Sequence, residues 1–125
     1  MSISEDPRVR EARAATNQTL FREVNERVKE LNEGFSLLLP LGDWVCECAN
    51  DTCIERVVLS ANEYEAVRGD GAHFFIAPST EHVWPDVERV TKRTDRYWIV
   101  EMIGHSGELA RRADPRHAPD AGYRH

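Results

Sequence analysis

Cys46, Cys48 and Cys53 fall within eight residues, and no other feature constrains this chain's fold as much. The cluster is flanked by two short β-type runs, Trp44 to Cys48 and Ile54 to Leu59, with Ala49-Asn-Asp-Thr52 between them. This pattern predicts a hairpin whose tip carries the thiols. In a C-x-C pair on a curling strand end both sulfurs swing to one point, and the turn brings Cys53 back beside them. Three thiolates so placed repel one another, and a divalent cation relieves the repulsion. A closed tetrahedral zinc site takes four sulfur or imidazole ligands, so one more ligand is expected from elsewhere in the chain. Of the five histidines, His73, His82, His105, His117 and His125, the loop residue His82 is preferred, bracketed by Pro78 and Pro85. His73, at the start of a strand, is the runner-up. The competing readings are buried free thiols or a redox-active disulfide.

Around the cluster the sequence predicts an α+β fold. It has a long N-terminal amphipathic helix packed on a small, mainly antiparallel sheet, a zinc-stapled hairpin and a short second helix. Leu20, Phe21, Val24, Val28 and Leu31 recur at helical spacing and are expected to form the buried stripe of the first helix, with Gly34 as its C-terminal cap. Ser60 and Glu63 have the spacing of a capping box opening the second helix, with Tyr64 and Val67 facing inward. Further strands are expected at His73 to Ala77, Val87 to Thr91 and Tyr97 to Ile103, and a helical turn from Gly107. Residues 1–16 read as a partly flexible extension, 17–106 as one zinc-binding domain and 107–125 as a C-terminal tail.

The charge balance narrows the partners. Sixteen Lys and Arg against 22 Asp and Glu give a net charge of -6, the wrong sign for a duplex nucleic acid or an anionic membrane surface. The longest apolar run, Phe35 to Leu41, is too short to cross a bilayer and contains Pro40. No signal-peptide pattern opens the chain, so a cytoplasmic location is expected. In a reducing compartment clustered thiols are metal ligands before they are disulfides.

The segments Leu20 to Leu31, Val45-Cys-Glu-Cys48 with Cys53, Tyr64 to Arg68, Phe75-Ile-Ala-Pro78 and Asp86-Val-Glu-Arg-Val90 occur in a fixed order. Over residues 17–103 the chain resembles a family of small bacterial proteins, chiefly actinobacterial, with no established activity. Similar members carry Gly-His-Glu after the Ala-Pro, and that histidine keeps the distance to Val-Glu-Arg-Val that His82 keeps here. The resemblance therefore implies His82 as the fourth ligand. This sequence departs from the pattern in Ser79-Thr-Glu81 and in its apolar Phe35 to Leu41 linker.

Other candidate chemistry is thin. Glu47, between two cysteines, is placed to act as a general base beside an open metal position, but strand alternation points it away from them, and a solvated carboxylate is expected. Asp51 is expected to cap the turn. Trp44, Trp84, Tyr97 and Trp98 read as core rather than as a stacking platform for single strands, and Lys92, Arg93 and Arg96 as a solvated turn. The expected role is a non-enzymatic protein-interaction or regulatory module holding one structural Zn2+. Its protein partner would be met through the Phe35 to Leu41 loop or the zinc knuckle. The alternatives are a thiol-based redox or metal sensor, a metal-dependent enzyme, or a nucleic-acid binder.

Overall fold

A computed structural model describes residues 6–32, 41–50 and 52–116. Among the described residues, five strands and three helices follow one another as α1 (Pro7–Asn32), β1 (Gly42–Val45), β2 (Arg56–Leu59), α2 (Ala61–Val67), β3 (His73–Ile76), β4 (Glu88–Arg93), β5 (Trp98–Met102) and α3 (Gly104–Ala113), with a 3-10 turn at Thr80–His82. The architecture is α+β. β1 and β2 form an antiparallel hairpin with Trp44 opposite Val57. The other three strands form an antiparallel sheet ordered β3-β5-β4, with a bulge in β4 between Val90 and Lys92.

Regular pairing of β1 stops at Val45, before the first cysteine, although strand character was expected through Cys48. The Cys46 amide still donates to the Glu55 carbonyl, at 3.1 Å, but the Glu47 amide turns to the Phe75 carbonyl of β3, at 3.0 Å. The cysteine segment thus crosses from the hairpin to the second sheet and ties the two together.

The orientation of α1 overturns part of one expectation, although Val28 of the expected stripe does pack against the core. Its buried face carries Ala14, Ala15, Gln18, Arg22 and Asn25, whereas Leu20 and Val24 are 52% and 40% exposed. Gln18 and Leu20 are two residues apart, about 200° around a helix, so burying the first exposes the second. The polar face wins because its side chains find partners inside. Arg22 donates to the Gly71 and His73 carbonyls at 2.5 and 3.2 Å and lies 4.0 Å over the Phe74 ring. α1 starts at Pro7, within the 1–16 stretch: Asp6 accepts from the Arg8 amide at 2.8 Å and Pro7 occupies the first helical position. The expected cap Gly34 and most of the Phe35 to Leu41 loop lie outside the described residues.

The second helix starts as expected: the Ser60 side chain accepts from the Glu63 amide while Glu63 accepts from the Ser60 amide. Tyr64 then stacks on Trp44 at 4.3 Å and meets Phe75 edge-on, which centres the core between hairpin and sheet. Trp44 and Tyr97 are buried, while Trp84 and Trp98 lie at the core's edge under Arg10 and Arg93. Of the expected solvated basic turn, Lys92 and Arg93 are exposed, but Arg96 pairs with Glu63 at 2.7 Å.

α3 packs on α1 and begins at Gly104, where only a turn from Gly107 was expected. A Cβ on Gly107 would come within 2.6 Å of the Met102 carbonyl oxygen, so this glycine sets how closely α3 approaches the end of β5. Past its end, Asp114 is buried and makes a two-pronged pair with Arg68, at 2.6 and 3.2 Å. Among the described residues no helix is long and apolar enough to cross a membrane.

Candidate metal centre

Each member of the cysteine cluster is placed by local backbone structure. Cys46 and Cys48 lie just past β1 on the segment that crosses to β3, and both are buried. A tight turn follows, in which the Asn50 side chain accepts from the Thr52 amide and hydroxyl and the Asn50 carbonyl accepts from the Cys53 amide at 3.1 Å. The turn returns Cys53 toward its neighbours. The fourth member comes from another part of the chain: after β3 the Ser79 side chain caps the 3-10 turn by accepting from the Glu81 amide, and His82 ends that turn.

The donor atoms of Cys46, Cys48, Cys53 and His82 all lie within 4.8 Å of one another. His82 Nδ1 is 3.6 Å from Cys46 Sγ and 3.7 Å from Cys53 Sγ. A tetrahedral zinc ion with sulfur at about 2.3 Å and nitrogen at about 2.05 Å has sulfur–nitrogen edges of about 3.6 Å. The two sulfur–nitrogen distances match such an edge, and the remaining donor pairs lie within 4.8 Å. Three sulfurs and one imidazole nitrogen also form the donor set of a closed site, with a tetrahedron's four corners all supplied by the chain.

Electrostatics point the same way. The three thiols do not titrate alike. The Cys46 thiol, hydrogen-bonded to Cys48 and buried, is pushed well above the ordinary range. Cys48, receiving that hydrogen bond, is lowered to about 5. Burial also raises Cys53. Burial opposes ionisation of all three thiols, and repulsion between them opposes ionisation of more than one. A divalent cation at the centre would reverse that opposition. The Ala77 amide donates to Cys46 Sγ at 3.3 Å, a bond that supports charge on the sulfur.

Glu47 departs from its expected place. Alternation does turn it away from the cysteines, but it meets α1 rather than solvent and is completely buried. Its carboxylate accepts from Asn25 Nδ2 at 2.9 Å and from the Phe75 amide at 3.4 Å. Burial raises it to about 7, against the opposing pull of the Arg22 charge. Glu88, also buried, is likewise raised to about 7 by burial. With its oxygens engaged by Asn25 and Phe75, Glu47 is not a base serving the cluster.

His73 is not drawn to the cysteines. It lies 3.9 Å from Asp70 and 3.6 Å from Glu101. These three form a second grouping of possible donors, but Arg111 pairs with both carboxylates and Arg89 with Glu101, so its charge is already balanced. His105 is exposed beside Glu108, while Asp51, His117 and His125 lie outside the described residues.

Sequence reasoning missed the side chains behind the cluster. Asn25 donates to the Val45 carbonyl and accepts from its amide, both at 2.8 Å. Gln18 donates to the Glu47 carbonyl at 3.1 Å and Asn17 to the Ala49 carbonyl at 2.7 Å. The available signal was three amide side chains, Asn17, Gln18 and Asn25, on a helix otherwise rich in charged residues.

Fold and site together define a small α+β protein with a Cys3His cluster able to hold a metal ion. No family model matches the chain, nor does any curated protein or solved structure.

Proposed function

We propose that the chain is a zinc protein whose single ion is structural, and that it acts as a protein-interaction or regulatory module. The observation that carries this reading is the convergence of three sulfurs and one imidazole nitrogen within 4.8 Å, drawn from two separate segments. Soft thiolate donors with one imidazole favour zinc over the hard cations that prefer oxygen ligands. Four protein ligands leave no position for substrate or an activated water, which separates a structural site from a hydrolytic one. Zinc bound here would pin the Cys46–Cys53 loop to the segment after β3 and so fix the surface around it. Next to Cys53 on that surface, Ile54 is 87% exposed, an apolar side chain available to a protein partner. The net charge of -6 weighs against nucleic acid as that partner.

A second reading has its own observation. Cys53 and His82 are only half-buried, whereas Cys46 and Cys48 are enclosed. An oxidant would reach the site through Cys53 first, so loss of zinc on oxidation fits a thiol-based sensor.

Replacement of zinc by cobalt tests the structural reading. The expected result is the intense visible absorption of a tetrahedral thiolate-rich cobalt site, unchanged by cyanide or azide at concentrations that leave the metal bound. A spectrum that shifts on adding either anion, with cobalt retained, would show an open coordination position and contradict a closed site.

A further inference from the structure

The amide side chains of α1 meet the cysteine segment in a regular pattern. Asn25 holds Val45, Gln18 holds the Glu47 carbonyl and Asn17 holds the Ala49 carbonyl. Residues 45, 47 and 49 alternate with Cys46 and Cys48. Three helix-borne donors thus hold the carbonyls of three alternate residues of this stretch. The helix runs antiparallel to it, residue 25 meeting 45 and residue 17 meeting 49. Glu47 adds a fourth tie through its side chain to Asn25 Nδ2, at 2.9 Å. Gln18 and Asn25 are completely buried, and a buried amide–carbonyl bond has no water to replace it when lost.

This grip acts on the two ligands with the least freedom. Cys46 and Cys48 are the enclosed pair, and both sulfurs must point to one place for the ion to bind. With the carbonyls of residues 45, 47 and 49 held by α1, rotation of the intervening peptides that carry both cysteines is restricted. We propose that Asn17, Gln18 and Asn25 are positioning residues for the metal centre, so that metal occupancy and docking of α1 are coupled. The proposal rests on the zinc reading above. By linkage the coupling is reciprocal: what α1 contributes to metal binding, the bound metal returns to α1. Partners that orient ligands from outside the coordination shell typically contribute 10–100-fold in metal affinity.

The test is zinc affinity, measured by competition with a chromophoric chelator at one pH, for wild type and the variants Asn17→Ala, Gln18→Ala and Asn25→Ala. Arg116→Ala is the control, because it removes surface pairs with Glu26 and Glu65 and touches nothing at the centre. Asn25→Ala and Gln18→Ala are expected to weaken zinc binding roughly 10–100-fold, with Arg116→Ala within about twofold of wild type. Adding chelator to wild type is expected to speed amide hydrogen exchange in α1 around residues 17–25 and leave β5 unchanged. If Asn25→Ala or Gln18→Ala does not fold, Asn17→Ala decides, since Asn17 is only half-buried. Affinities within twofold of wild type for all folded variants would overturn the proposal while leaving the zinc reading intact. Wild type that binds no zinc would overturn both.

Discussion

Replacing Cys46 by serine is expected to abolish tight metal binding and to lower the melting temperature by roughly 10–20 °C. A serine hydroxyl stays protonated near neutral pH and is a poor zinc ligand, so only three donors would remain. A ligand present at a thousand times its dissociation constant stabilises the folded state by about 4 kcal/mol. In a domain of 125 residues each kcal/mol is worth roughly 3–5 °C. The loss is large but not total, because the core around Trp44, Tyr64 and Phe75 is big enough to persist without the ion. Thermal denaturation with and without chelator checks this. Wild type should lose stability on chelation, and Cys46→Ser should start near the chelated value and respond no further. A variant as stable as wild type, with its chelator response intact, would show that Cys46 is not a ligand.

The second large effect lies away from the metal. Asp114→Ala is expected to cost about 3–5 kcal/mol, because it strands charges that no water reaches. The Arg68 side chain is 0% exposed and that of Asp114 2%, and their two hydrogen bonds close the space between the ends of α2 and α3. Arg22, 1% exposed, stands 3.9 Å from the same carboxylate. Glu26 remains beside Arg68 at 3.3 Å and offsets part of the loss. Burial pushes the Asp114 carboxyl up, but the Arg68 hydrogen bonds and nearby positive charge outweigh it and hold the group below its ordinary value of 3.8. The folded-state value is the lower one. The pair's contribution is therefore fully present above pH 3.8 and is lost as pH falls through the lower folded value. Urea denaturation at neutral pH and along an acid series measures both parts. A cost under about 1 kcal/mol, or the same acid sensitivity in the variant, would contradict the account.

What was legible in the sequence follows the range of the interactions involved. The Ser60–Glu63 capping box spans four residues and needs no partner elsewhere, so its residues announce it. The hairpin and the clustered thiols are similarly local. His82 was reached through a loop position and a resemblance, and its imidazole meets sulfurs 29 and 36 residues away. Apart from Val28, the buried face of α1 was not legible. Asn25 and Arg22 turn inward because Val45, Glu47, Gly71 and His73 wait there with backbone and carboxylate groups to be satisfied. An apolar stripe predicts burial only when the opposing surface is apolar, and here it is a polar seam. Glu47 shows the same limit: alternation aimed it correctly away from the cysteines, but whether that side held water or a helix depended on α1. α3 gave little local notice because Ile103 provides no side-chain cap.

The most direct test of the central claim is the metal content of untagged protein, purified without added metal or chelator and measured by native mass spectrometry alongside elemental analysis. The account predicts one zinc ion per chain, with Cys46, Cys48 and Cys53 protected from alkylation until the metal is removed. Protein without bound metal, which also fails to take up zinc when it is supplied and alkylates at all three cysteines, would contradict it.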